Sequence, residues 1–249
     1  MRDPALLTAL VGKGAATIGE VLAARVTQTP DAPFIEHQRR RWTYVQGWME
    51  SRRFAAFLTA RDLAGGRVAT FLPKCPEAVF TWFGAALSRG VYVALNRAHR
   101  GAVLANLVAR SGANLLVTDR AGWEDIGNLL PPTLTRILFI DEAPAEQPAG
   151  SQYFSWRDVI RSAPADPIFG RPEDIATLLY TSGTTGRSKA VLLPHNMYCR
   201  GAANLADCFG YRPDDRFHDW MPLSHIGGQL HVTITAVVAG ACLVQFPRF

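Results

Sequence analysis

Lysine is scarce in this sequence: only Lys13, Lys74 and Lys189 occur among 249 residues, although Lys and Arg together number 26 against 21 Asp and Glu. The formal charge of +5 is therefore carried by arginines scattered mostly singly, without the like-charge blocks that mark nucleic-acid-binding arms. The one dense basic run, His37 to Arg41, lies between two β-prone pieces, "FIE" and "WTYVQ", and reads as the solvated turn of a hairpin. Cysteine offers no scaffold, because Cys75, Cys199, Cys208 and Cys242 have neither C-x-x-C spacing nor disulfide-rich density. A reducing, cytoplasmic setting fits them. The histidines form no H-x-x-x-H pair and no His/Cys quartet, so no metal site is expected. No apolar run approaches the ~20 residues that cross a bilayer; the stretch from Val232 to Val244 reads as core. The opening stretch lacks a secretory n-region.

What is present is an alternation of apolar runs and helical patterns, with 48% hydrophobic residues to bury. "RVATFLP" reads as a buried strand, and "PEAVFTWFGAALSRG" as a helix with Pro76 in its first turn and Gly90 just past its end. Strands then recur at "VYVAL", "NLLVTD" and "RILFID", separated by helices over "RGAVLANLVARSG" and near "WEDIGNLL". The spacing predicts an α/β protein: layered, largely parallel sheets flanked by helices. Residues 141 to 172 interrupt the rhythm and read as a connection with one short helix, "SWRDVI". Two short apolar runs follow, "DIATLLY" and "KAVLLP". Next come a helix over "NMYCRGAANLADCFG" with Met197, Gly201, Leu205 and Phe209 in one stack, a strand "DRFHDWMP", a helical or turn-like segment and a last strand "ACLVQF".

Between the two short runs lies "YTSGTTGRSK", Tyr180 to Lys189, rich in hydroxyls and glycine and without a carboxylate. Glycines let backbone N–H groups converge on an anion, hydroxyls add donors, and a lysine supplies a mobile positive charge. That composition suits a phosphate cradle, although an exposed polar hairpin has the same ingredients. A Walker A loop does not fit: Ser188 stands where a glycine should precede the lysine, Ala190 where a magnesium-binding Ser or Thr should follow, and the next segment is strand-like.

The stretch "YTSGTTGRSKAVLLPH" resembles the signature loop of the adenylate-forming superfamily, which includes acyl-CoA synthetases, luciferases and the adenylation domains of peptide synthetases. Ser188 replaces a usual Pro and Ala190 a usual Gly. "DWMPLSHIGGQ" is similar to a second family motif, through Pro222, His225, Gly227 and Gly228, with Ser224 where an aromatic is common. The opening through "WTYVQGW" and the unit "RVATFLPKCPEAVFTWFGAALSRGVYVALN" also resemble the family's beginning, closest to its acyl-CoA ligase branch. The resemblance implies that Thr181, Ser182, Gly183, Thr184, Thr185, Gly186 and Lys189 bind the phosphates of ATP and that Lys189 and His225 serve catalysis, His225 beside the acyl group. The alternative for His225 is a satisfied core histidine. ATP/AMP, Mg2+ and CoA are the implied cofactors and co-substrates, a small carboxylic acid the implied partner, with no nucleic acid and no membrane span. Later family motifs are missing from residues 1–249, so the chain is expected to be an incomplete N-terminal large domain, inactive alone. Its residues 61–212 are expected to form a nearly complete lobe, and 1–60 with 213–249 part of a second. Exposed apolar surface on such a fragment implies self-association, such as a homodimer. The rival is a non-catalytic nucleotide-binding or scaffolding module that kept the fold.

Overall fold

The computed structural model describes residues 11, 13–145, 149–181 and 188–246. Helix α1 (Ile18–Gln28) starts at a capping box in which Thr17 and Glu20 satisfy each other's backbone N–H groups. The hairpin follows as β1 (Pro33–His37) and β2 (Arg40–Thr43), turning at Gln38 with φ 54°. The tight turn comprises Gln38 and Arg39 alone, and Arg40 and Arg41 belong to β2. The expected strand "WTYVQ" is divided: Trp42 and Thr43 end β2, while Thr43 and Gln46 form a second capping box that opens helix α2 (Tyr44–Thr59).

The regular βα alternation then runs β3 (Arg67–Phe71), α3 (Pro76–Ala86), β4 (Val91–Ala94), α4 (Gly101–Ser111), β5 (Leu115–Thr118), α5 (Arg120–Ile126) and β6 (Arg136–Phe139). Helix α5 begins three residues before the expected "WEDIGNLL", because Asp119 caps it by accepting from the Gly122 N–H at 2.7 Å. The supposed connection contains an additional strand, β7 (Gln152–Ser155), before the short helix α6 (Trp156–Arg161). Its four residues are half-exposed at the sheet edge, so no apolar run announces it. Strands β8 (Ile175–Thr181) and β9 (Lys189–Pro194) flank the signature loop, and helix α7 (His195–Phe209) stops at Gly210 with φ 64°. Tyr198, Cys199 and Ala202 form the buried face of α7 in place of the expected stack, and Phe209 is exposed. The face is set by Tyr198, which packs edge-on against Trp82 at 5.4 Å. Strand β10 (Arg216–His218) is shorter than "DRFHDWMP": the Asp219 N–H still donates to the Val244 carbonyl at 2.9 Å, but the Trp220 N–H turns back onto the His218 carbonyl. A π-helical turn (Gly227–Ile234), α8 (Thr235–Ala239) and β11 (Cys242–Gln245) complete the described chain.

Seven strands form one sheet in the order β7-β6-β5-β3-β4-β8-β9, parallel except for the edge strand β9, which pairs antiparallel with β8. A second sheet has the order β10-β11-β1-β2. Alternate residues of β3 feed opposite faces: Val68 joins the core that also contains Ile35 and Leu243 of the smaller sheet, while Ala69 packs with Leu104, Leu107 and Val108 of α4. That burial on both faces is why these strands read as continuous apolar runs. Among the described residues no helix is long and apolar enough to cross a membrane. The chain order reverses at β3, which has β4 on one side and β5 on the other. In open α/β sheets, ligands collect outside the strand C-terminal ends near such a reversal.

Candidate functional site

Strand β8 is buried from Ala176 to Leu179 and emerges at Tyr180 and the exposed Thr181. Thr181 lies opposite Lys189 in the β8–β9 ladder, and its hydroxyl is 3.5 Å from the Lys189 carbonyl. The two stems of the signature loop are thus held as neighbouring strand ends. Helix α4 braces both: the Tyr180 hydroxyl donates to the Leu107 carbonyl at 3.0 Å, and the Arg110 guanidinium donates to the Ser188 carbonyl at 3.0 Å. Burial raises the Tyr180 phenol above its ordinary pKa, which keeps it a donor at neutral pH. The Lys189 side chain is exposed. Ser182, Gly183, Thr184, Thr185 and Gly186 lie outside the described residues.

The second motif forms a tight turn. The His225 N–H donates to the Pro222 carbonyl at 3.0 Å, and the Gly227 N–H donates to His225 Nδ1, also at 3.0 Å. With Nδ1 accepting, the neutral imidazole carries its proton on Nε2. His225 is exposed, so it is not a core histidine. Gln229, fully buried, secures the turn from behind by donating to the Leu223 carbonyl at 2.5 Å while accepting from the Tyr198 hydroxyl of α7. The π-helical turn that follows is a feature common at functional sites. Gly228 has no room for a side chain: a Cβ there would lie 2.3 Å from the Pro222 carbonyl oxygen and 2.6 Å from that of Met221, both backbone atoms. Gly228→Ala should therefore cost about 1–3 kcal/mol and displace His225. Thermal unfolding of this variant checks it, and a melt coincident with the parent protein would contradict the close approach.

The two motifs meet. Tyr180 and Thr181 share a cavity of about 400 Å³ with Asn96, Ser224, His225 and Ile226. Its position beyond the C-terminal ends of β4 and β8 follows from the parallel pairing of those strands. Thr181 lines this cavity, and Lys189, its ladder partner, begins β9, of which Val191 and Leu193 also line it. No carboxylate lines this cavity, and among the described residues no group of three or more His, Cys, Asp or Glu could hold a metal. Sequence reasoning missed Arg110, Tyr180 as a brace, and Gln229; Tyr180 and Gln229 lie within the two motifs, whereas Arg110 is remote from both in sequence.

Residues 22–249 match the AMP-binding enzyme family. The chain is 30% identical over 214 residues to a crotonobetaine/carnitine–CoA ligase of Escherichia coli O139:H28, covering 84% of this chain and 41% of that protein. It is 29% identical over 234 residues to a 4-coumarate–CoA ligase of Pinus taeda, covering 90% and 42%. Among solved structures, ATP-bound MatB from Rhodopseudomonas palustris superposes with a TM-score of 0.80 at 23% identity, over 94% of this chain and 46% of that one. VinN in complex with 3-methylaspartate gives 0.79 at 25% identity, over 93% and 62%. The chain spans about two-fifths of the curated relatives it matches. With both signature motifs on one cavity and the family match running across nearly all its residues, the chain belongs to the AMP-binding enzyme family.

Proposed function

We propose that this chain is the N-terminal part of an ATP-dependent, AMP-forming acid–thiol ligase. A carboxylic acid attacks the α-phosphorus of ATP, giving an acyl-adenylate and pyrophosphate, and the thiol of CoA then displaces AMP. The observation that carries the reading is the cavity shared by Thr181 at the loop stem and His225 of the second motif. In such a substitution, positioning and charge stabilisation supply most of the catalysis. Thr181 and Lys189, with Ser182 to Gly186 between them, take the triphosphate tail. His225, with its Nε2–H available, positions the acyl group. Residues 61–212 are proposed as one lobe, and 1–60 with 213–249 as part of a second. Exposed Val191 and Leu192 on edge strand β9 offer the expected self-association a surface. The protein is proposed to work in the cytoplasm.

Acid-dependent exchange of labelled pyrophosphate into ATP tests the reading. Full-length protein is expected to exchange with at least one carboxylic acid, and residues 1–249 alone with none. Failure of the full-length protein with every acid tried would favour a nucleotide-binding module without chemistry.

A further inference from the structure

We propose that the acid activated by this protein carries an N–H-bearing ammonium group, held by the Asp219 carboxylate and the Gln245 side-chain oxygen in a second, smaller cavity. The inference rests on the adenylate-forming reading above and adds the class of acid to it.

The second cavity, about 260 Å³, is lined by Lys74, Tyr92, Asn96, Asp219, Ser224 and Gln245 among others, and it shares Asn96 and Ser224 with the larger one. Each lies against the turn that carries His225. A molecule with its carboxyl group at that common wall could extend a short chain into the smaller space.

Two buried acceptors wait there. Asp219 is 4% exposed and Gln245 2%. The Gln245 amide donates to Asp219 Oδ2 at 3.2 Å, whereas Gln245 Oε1 has no hydrogen-bond partner among the described residues. Leaving a buried acceptor unsatisfied is costly. Burial also pushes the Asp219 carboxyl up to about 6, with the attraction of Lys74 opposing it. The carboxylate is therefore ionised at neutral pH but incompletely compensated, and a ligand ammonium would relieve both deficits together.

Lys74 narrows the ligand further. Its ammonium donates to the Asp219 backbone carbonyl and lines the same cavity, so the net charge of the pair is near zero although burial leaves the carboxylate itself only partly offset. A bare cation would add net charge, but a molecule bringing its own carboxylate would not. Arg97, another lining residue, is committed to Asp119 and to the Phe71 carbonyl. Tyr92 is the one aromatic among the lining residues, and its hydroxyl accepts from Thr70 at 2.9 Å. Acceptor oxygens without an aromatic cage favour N–H donors over a quaternary nitrogen. The substrate class is thus an amino acid with a primary or secondary amine.

Glycine, β-alanine and 4-aminobutyrate are compared with acetate, propionate and butyrate, and with the trimethylammonium analogue of 4-aminobutyrate. Binding, by calorimetry, and pyrophosphate exchange are both followed in the full-length protein. At least one amino acid should bind about tenfold or more tightly than its desamino partner, as expected of a site built to hydrogen-bond an N–H group. That preference should vanish in Asp219→Asn and shrink in Gln245→Met, whose thermal melts report folding independently. Should Asp219→Asn fail to fold, Gln245→Met decides alone. Equal binding of amino and desamino acids, or binding of neither, overturns the inference; exchange with plain acids would then leave the adenylating reading standing. Absence of exchange with any acid would instead sink the adenylating reading, and amino-acid binding lost in the variants would sustain the pocket alone.

Discussion

Lys189→Ala in the full-length protein is expected to slow acid-dependent pyrophosphate exchange by about 10²–10³-fold, the loss typical when one preorganised charge-stabilising group is removed from a reacting centre. Lys189 stands opposite Thr181, a lining residue of the larger cavity, where β9 begins, and its side chain is exposed. Nothing in the core depends on it, so the melting temperature should stay within the small range of surface substitutions. Lys189→Arg keeps the charge but exchanges a compact ammonium for a planar fork, and it should recover only part of the rate. Undiminished exchange in Lys189→Ala would remove the lysine from the phosphate site and return the loop to the polar-hairpin reading.

The family was legible in the loop because its signature is local: hydroxyls, glycines and one lysine fall within ten consecutive residues. The parallel core was legible for a related reason, since strands buried on both faces, such as Leu115–Thr118, must be apolar throughout. Errors arose where a local signal was outweighed or misjudged. Thr43 and Gln46 have capping-box spacing, yet the aromatic and β-branched "WTY" looked like strand; the cap prevailed. Strand β7 pairs only with β6 at an exposed edge, and its Gln152–Ser155 has little apolar character to show. On α7 the residues at spacing four gave one plausible face, but tertiary contacts of Tyr198 and Cys199 chose the adjacent one.

The second cavity was not legible at all. Asp219 and Gln245 are 26 positions apart, and Lys74 is 145 from Asp219. Only the parallel pairing of β10 with β11, in which His218 faces Val244, brings the first two together at the strand ends. The β3–α3 connection then adds Lys74 from the larger sheet. A segment read as a continuous strand, "DRFHDWMP", ends beside this cluster, where the Trp220 N–H turns back onto the His218 carbonyl.

That cluster has a consequence for stability, because a second buried group titrates in the same range with the opposite sign. Asp219 has a folded-state value of about 6 against an ordinary 3.8, so the folded protein holds this proton more tightly, and stability falls as pH rises from about 4 to 6. His195, 2% exposed and with Nδ1 unpartnered among the described residues, is pushed by burial down to about 4 from 6.5. The unfolded chain holds that proton more tightly, so stability is lost as pH falls from about 6.5 to 4. At about 1.4 kcal/mol per pKa unit, each group contributes about 3 kcal/mol of pH dependence, and the two nearly cancel. Single substitutions should expose what the pair conceals. Relative to the parent, Asp219→Asn should gain melting temperature with rising pH by about 6–12 °C between pH 4 and 6.5. His195→Gln should lose a similar amount over that interval. Taking differences from the parent removes the contributions of Glu36 and Asp174, whose carboxyls sit below their ordinary range through hydrogen bonds from Arg216 and from the Arg171 backbone, respectively. Difference curves that are flat for both variants would mean that neither group is buried in its ionisation-penalising setting, and the Asp219 pocket would then lack the incompletely compensated carboxylate on which ammonium recognition depends.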